Sequence, residues 1–390
     1  MATPAYRIAI NIGGGYVSGL NAVVTGAVLA GARLGWDTVG IRDGFDGLLF
    51  PDRYADGGLI TLTPELVEYT AGAADVILGT APRTDPFRVR TVNAENQVEE
   101  VDRSDELLAR LRAAKIDAVI SIVGPGTLST LYKLYRKGLA TVCVPKSVEN
   151  DVAATDLSFG YNTALSYAVD TLDRARQAAR AARRIGVVEV LGAQTGWLAL
   201  QAGMAACADA VLIPEIPYDL RKVAAKLAGR PYGLVVVAEG ATPVASEREV
   251  AMAAGARARA SADSPQSLKG SLAPLATGPE GAEVIERSGH AAKGVALALQ
   301  RLTDQETHPL VLGELLRGGA PTAVDRQLGL GYGAGAVRAV HERQSGVLVV
   351  FRPPDLVFVP LADAINKVRT VPADSLFLQL ARALGMSLGD

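Results

Sequence analysis

The sequence predicts an α/β fold built as two Rossmann-like domains with mainly parallel sheets. Three observations carry that prediction. Short apolar runs recur along the chain, separated by stretches of helical periodicity, the pattern of parallel strands joined by crossovers. Several runs end in loops broken by glycine and proline, such as GPGT and PKSVEND within residues 121–165, and ligands in such sheets collect at the carboxyl ends of the strands. The chain has 390 residues, 49% of them apolar, enough for two domains of ordinary size.

Taken in order, Tyr6–Ile12 reads as a buried strand, followed by a glycine loop and a helix over Leu20–Leu34. Asp37–Ile41 is a second short strand. Glu106–Ala114 has helical spacing and precedes a strand at Ala118–Val123. Thr141–Val144 is a strand, and Ala164–Ala182 is a long helix with Asp, Arg and Gln on one face. Gly186–Val190 and Ala210–Ile213 are strands, with a helix over Trp197–Cys207 between them. Gly233–Ala238 and Leu310–Leu312 complete the apolar runs.

Residues 241–289 break the pattern. They are rich in Ala, Ser, Gly, Pro and charge, and most of them have little to bury. They are expected to form an exposed, flexible insertion, with one helix over Ser246–Ala260 capped by Ser246. The only cysteines, Cys143 and Cys207, have apolar neighbours and are expected to be buried free thiols rather than a disulfide or zinc framework. A net charge of −2 gives no reason to expect nucleic acid or an anionic membrane as partner. No apolar run reaches the roughly 18 residues of a spanning helix, and the N-terminus has no signal-peptide pattern. The expected location is the cytoplasm.

Three loops hold residue types suited to phosphate chemistry. Gly13-Gly14-Gly15-Tyr16-Val17-Ser18-Gly19 joins a strand to a helix; glycines allow close backbone approach and a helix N-terminus favours an anion. Alone it is a weak signal, since a tight turn explains it almost as well. Gly124-Pro125-Gly126-Thr127 also leads from strand to helix but offers no carboxylate for Mg²⁺. Pro145-Lys146-Ser147-Val148-Glu149-Asn150-Asp151 gathers an ammonium, a hydroxyl, an amide and two carboxylates. Lys146 can neutralise a phosphoryl group, Glu149 can accept a proton and Asp151 can bind a cation. A solvated turn has a similar composition, but three such loops after successive strands argue for a site.

These motifs, with others in the same order, resemble the phosphofructokinase family in its ATP- and pyrophosphate-dependent branches. The family's GGDxPGxN loop is matched by Gly13 to Asn21, its GGD loop by Gly124 to Thr127, and its TIDND loop by Pro145 to Asp151. Its FGF-x-TA segment is matched by Phe159 to Ala164, and its VVEVMGR segment by Val187 to Ala193. Pro214-Glu215, Glu239-Gly240 and Leu312 to Arg326 match its PE, EG and RGG…DR elements. The matches run across most of the chain and imply the phosphofructokinase fold.

The resemblance also implies roles. Catalysis falls to Glu149 as base, with Lys146, Asp151 and Arg83. Donor binding falls to Gly14, Gly15, Tyr16, Gly124, Pro125, Gly126 and Thr127. Acceptor binding falls to Ser147, Arg184, Glu239, Glu314 and Arg317, with Arg184 reaching a neighbouring subunit. Mg²⁺ is the implied cofactor and Asp151 its ligand. Several departures fall on the chemistry: Pro125 stands for the GGD aspartate, Glu149 for the aspartate base, and Ala193 for the arginine of MGR. Glu314 replaces a histidine at the sugar phosphate, and His308 an arginine.

The implied domains are residues 1–160 with 321–363, binding the donor phosphates, and residues 161–320 with 364–390, binding the sugar phosphate. The implied partners are ATP or pyrophosphate and a sugar phosphate, in a homodimer or homotetramer. The expected activity is phosphoryl transfer to O1 of fructose 6-phosphate or a related sugar phosphate. The alternative is a catalytically impaired homologue that binds a phosphorylated metabolite as a regulatory or partner subunit.

Overall fold

The computed structural model describes residues 6–81, 84–92, 96–244 and 289–390. In chain order its strands are β1 (Arg7–Ile12), β2 (Asp37–Ile41), β3 (Leu59–Thr61), β4 (Val89–Val92), β5 (Val98–Val101), β6 (Ala118–Val123), β7 (Thr141–Pro145), β8 (Ile185–Val190), β9 (Ala210–Leu212), β10 (Gly233–Ala238), β11 (Thr307–Val311), β12 (Val347–Arg352) and β13 (Asp355–Pro360). The longer helices are α1 (Leu20–Arg33), α2 (Ser104–Ala113), α3 (Pro125–Arg136), α4 (Tyr161–Ala182), α5 (Trp197–Ala205), α6 (Leu220–Leu227), α7 (His290–Thr303), α8 (Ala323–His341) and α9 (Leu376–Ala383). The expected helix over Ser246–Ala260, and nearly all of the expected insertion, lie outside the described residues.

The chain divides into two compact units, residues 1–164 with 317–369 and residues 165–316 with 370–390. The first holds a seven-stranded sheet in the order β13-β12-β7-β6-β1-β2-β3. Its centre is parallel: β1 pairs with both β2 and β6, and β6 with β7. Among the described strands, β2–β3, β12–β13 and the separate pair β4–β5 are antiparallel. RIAINI and AVISIV become central strands because helices cover both faces; Ile8, Ile10, Ile12, Ile120 and Ile122 are fully buried. Each such side chain contributes about 1.5–3 kcal/mol of burial free energy.

Helix α1 begins at the end of the first glycine loop and packs along α8, and small residues make that contact possible. A Cβ on Gly26 would lie 2.2 Å from the Leu330 carbonyl oxygen, and one on Gly333 would lie 2.1 Å from that of Val23. The seam sets α1 directly behind the loop that leaves β1.

The second unit has a four-stranded parallel sheet, β11-β8-β10-β9. Glu189, on β8, is 2% exposed, and its two carboxylate oxygens accept the Gly289 and Ala292 N–H groups at 2.9 and 2.8 Å. It thereby caps the first turn of α7, a place where negative charge is favoured. The sequence predicts both cysteines to be buried. Cys143 is buried, but Cys207 is exposed. α5 ends at Ala205, and Cys207 sits beyond it in the left-handed region (φ 51°), in the turn that leads out of the helix.

Candidate active site

Three loops leave adjacent parallel strands of the first unit, and the sheet register sets them side by side. The Gly13 N–H donates to the Ile122 carbonyl at 3.0 Å, and the Lys146 N–H to the Val123 carbonyl at 3.0 Å. The Gly14 N–H reaches the Ala81 carbonyl at 3.2 Å. Gly14 has φ 77°, which a side chain would strain. A Cβ there would also lie 3.8 Å from the Lys146 Nζ.

Lys146 is 3% exposed, and its ammonium donates to the Gly15 carbonyl. Burial, then the Arg317 charge, bring its pKa down to about 7. Tyr16, from the same glycine loop, turns its hydroxyl to the Ala74 carbonyl at 2.6 Å.

The GPGT loop is the start of α3. Gly124 is the N-cap and Pro125 the first helical residue, a position where proline's fixed φ fits and its missing N–H has no intrahelical use. The Thr127 hydroxyl and N–H both donate to the Gly124 carbonyl at 3.1 Å. Nothing lies within 4 Å of where a Gly126 side chain would stand. Pro125 therefore closes a well-formed helix start while giving up the side-chain carboxylate.

PKSVEND is a tightly bonded turn. The Ser147 hydroxyl donates to Asp151 Oδ1 at 2.5 Å and accepts the Glu149 N–H at 3.0 Å. Between the two carboxylates stands Asn150, in the left-handed region with φ 56°. Its side chain accepts the Ser158 N–H at 2.9 Å and donates to the Asp156 carbonyl at 3.2 Å. Glu149 is half-buried. Burial raises the Asp151 pKa, and the Ser147 hydrogen bond and the Arg317 charge oppose that rise. Arg317 thus lies within electrostatic reach of both Lys146 and Asp151.

Ser18 holds the Arg317 loop. Its buried hydroxyl stands 3.3, 3.1 and 2.8 Å from the carbonyl oxygens of Arg317, Gly318 and Gly319, the last being the best acceptor. Asp325, fully buried, accepts the Thr163 N–H and hydroxyl at 2.7 and 2.6 Å. It belongs to the same motif and fixes the start of α4 nearby. These two contacts were not anticipated from the sequence, since their partners are far along the chain.

The remaining candidates among the described residues belong to the second unit. Arg184, just before β8, stands 3.7 Å from Glu306 Oε1 and 3.3 Å from His308 Nε2, and His308 is 2.6 Å from the same Glu306 oxygen. The residues that leave the carboxyl ends of the strands are tied together: Glu239 N–H to Val190, Gly240 N–H to Gly192 and Leu312 N–H to Glu189, at 3.0, 3.1 and 3.0 Å. This edge presents the half-buried Glu239, the exposed Glu314 and the exposed Ala193. Arg83 lies outside the described residues.

The fit to Mg²⁺ depends on the donor set. Among the described residues no group of three or more His, Cys, Asp or Glu is placed to hold a metal ion. Asp151 is a single carboxylate already bonded to Ser147. That suits a cation whose other ligands are phosphate oxygens and water, the usual way Mg²⁺ is held beside a phosphate donor.

Fold and loops together define a parallel α/β protein with its candidate site loops at the carboxyl ends of the central strands, where ligands collect in such sheets. A family model described as phosphofructokinase matches residues 7–340, and the chain belongs to the phosphofructokinase family. It is 35% identical to an ATP-dependent 6-phosphofructokinase of Chloroflexus aurantiacus, with 100% of this chain and 99% of the relative covered. It is also 35% identical to ATP-dependent 6-phosphofructokinase 3 of Streptomyces coelicolor, over 94% of this chain and 96% of that one. Among solved structures, a pyrophosphate-dependent phosphofructokinase of Marinobacter aquaeolei superposes with TM-score 0.70 at 18% identity, over 94% of this chain and 86% of the other. Phosphofructokinase from Saccharomyces cerevisiae gives 0.67 at 25% identity, with 97% of this chain and 46% of the other covered. The fold is that of the phosphofructokinases.

Proposed function

We propose that the protein is a phosphotransferase that moves a phosphoryl group from ATP or pyrophosphate to O1 of fructose 6-phosphate or a related sugar phosphate. The observation that carries this reading is the placement of Lys146 among the glycine loops, on the same short turn as Glu149 and Asp151. ATP is the first donor to test, because the full-length relatives at 35% identity are named ATP-dependent.

In this reading the acceptor hydroxyl attacks the terminal phosphorus, and the bond from that phosphorus to the donor's bridging oxygen breaks. Glu149 takes the hydroxyl proton. Lys146, backbone N–H groups of the glycine loops and the α3 start stabilise the charge that moves onto the leaving phosphate. Mg²⁺ bound beside Asp151 would supply further charge neutralisation at the donor oxygens. The first unit is the donor-binding domain and the second the acceptor-binding domain, with Glu239, Glu314 and Arg184 on the acceptor side. The assembly is a cytoplasmic homodimer or homotetramer in which Arg184 serves a neighbouring subunit. Among the described residues no helix is long and apolar enough to cross a membrane.

A second reading, a homologue that binds a phosphorylated metabolite without turnover, is favoured by Pro125, which builds a sound helix start without the carboxylate. A coupled assay with each donor against a panel of sugar phosphates and free polyols separates the two. Turnover with any pair supports the phosphotransferase. Binding of donor with no turnover across the panel supports the second reading.

A further inference from the structure

We infer that Arg369, outside every motif described above, is a positioning residue that holds the turn between Glu149 and Asp151. The segment carrying it pairs with the end of PKSVEND through an antiparallel bridge between Val368 and Val152. The Arg369 N–H donates to the Asp151 carbonyl at 2.9 Å. Its guanidinium donates from Nη1 to the Asn150 carbonyl at 3.4 Å. Asn150 is the left-handed residue of the turn, and its own side chain is bound to Asp156 and Ser158. Arg369 is partly buried, with its pKa lowered by burial and raised again by the Asp156 carboxylate and by Tyr161.

A network results in which Asn150 bonds to the 156–158 segment while the guanidinium spans the Asn150 carbonyl and the Asp156 charge. Losing the two Arg369 bonds would free the Asn150 and Asp151 carbonyls, and with them the backbone of the short turn that carries Glu149 and Asp151. The planar guanidinium suits this task, since it donates in several fixed directions at once and keeps its charge when partly buried. It acts through the backbone, by its bonds to the Asn150 and Asp151 carbonyls.

The inference rests on Glu149 and Asp151 being the reacting carboxylates, so its test has one arm that reads turnover and one that does not. Arg369→Ala and Arg369→Lys are made in the full chain, and Arg369→Ala is also measured with millimolar guanidinium. If the parent turns over, Arg369→Ala should lower kcat by about 10²-fold, the cost of a misplacement on the order of 1 Å, with donor KM nearly unchanged. Arg369→Lys should fall between. Added guanidinium should restore at least a tenfold part of the loss. Independently of turnover, hydrogen exchange of Arg369→Ala should show lost amide protection across residues 147–153, with β6 and β7 still protected, and guanidinium should reverse it.

A parent without turnover sinks the proposed function and leaves the exchange arm to decide the positioning role. Unchanged protection at 147–153, protection lost throughout the first unit, or exchange that guanidinium does not reverse each overturns the inference. So does an Arg369→Ala kcat equal to the parent's.

Discussion

The buried ammonium of Lys146 donates to the carbonyl oxygen of Gly15, joining the loop after β7 to the loop after β1. Because burial has brought its pKa to about 7, the folded protein releases this proton far more readily than an unfolded lysine does. A bound anion favours the charged form. Donor binding should therefore take up a proton above pH 7, and affinity should rise as pH falls toward about 7 and then level off. Calorimetry in buffers of different ionisation enthalpy reads the uptake. Lys146→Met should abolish it.

The same group makes a stability prediction. A lysine whose folded pKa is depressed adds to stability fully above its unfolded pKa of 10.5 and loses that contribution as pH falls toward 7. Measured between pH 7 and 10.5, the parent should gain stability relative to Lys146→Met as pH rises. Parallel curves would show that the ammonium is not desolvated.

Ser147 keeps Asp151 more acidic than burial alone would allow. Ser147→Ala removes that hydrogen bond, so the Asp151 carboxyl should hold its proton to higher pH. If the carboxylate form is needed for turnover, the acid limb of the pH–rate profile should move upward. An unmoved limb would separate Asp151 from the cation role.

Pro125 opens α3, where an aspartate would also suit the helix dipole. Pro125→Asp should thus fold with stability within about 1 kcal/mol of the parent. It should change Mg²⁺-dependent donor affinity, read by a titration at fixed donor. No change in metal dependence would place residue 125 away from the donor phosphates.

Much of the first unit was legible because β1, β6 and β7 are short apolar runs, each ending in glycine or proline. β5, VEEV, was not, since all four residues are exposed and no apolar pattern marks it. Nor was α8, whose glycines lower helix propensity but serve its approach to α1. The site loops announced themselves by punctuation and residue type. What fixes them did not: Ser18 meets the Arg317 loop about 300 positions away, and Arg369 meets Asn150 from 219 positions away. A single sequence gives no periodicity for such pairs.

In the proposed mechanism Glu149 takes the acceptor's proton. Its N–H is bonded to Ser147, its neighbour Asn150 lies in the left-handed region, and the residue is half-buried two positions before Asp151. Glu149→Gln keeps the shape and removes the basicity. The direct measurement is steady-state turnover of this variant with the best donor and acceptor, alongside donor affinity by titration. The predicted result is a fall in kcat of roughly 10²–10⁴-fold with donor affinity little changed. A Glu149→Gln protein that turns over like the parent would contradict the assignment and the mechanism built on it.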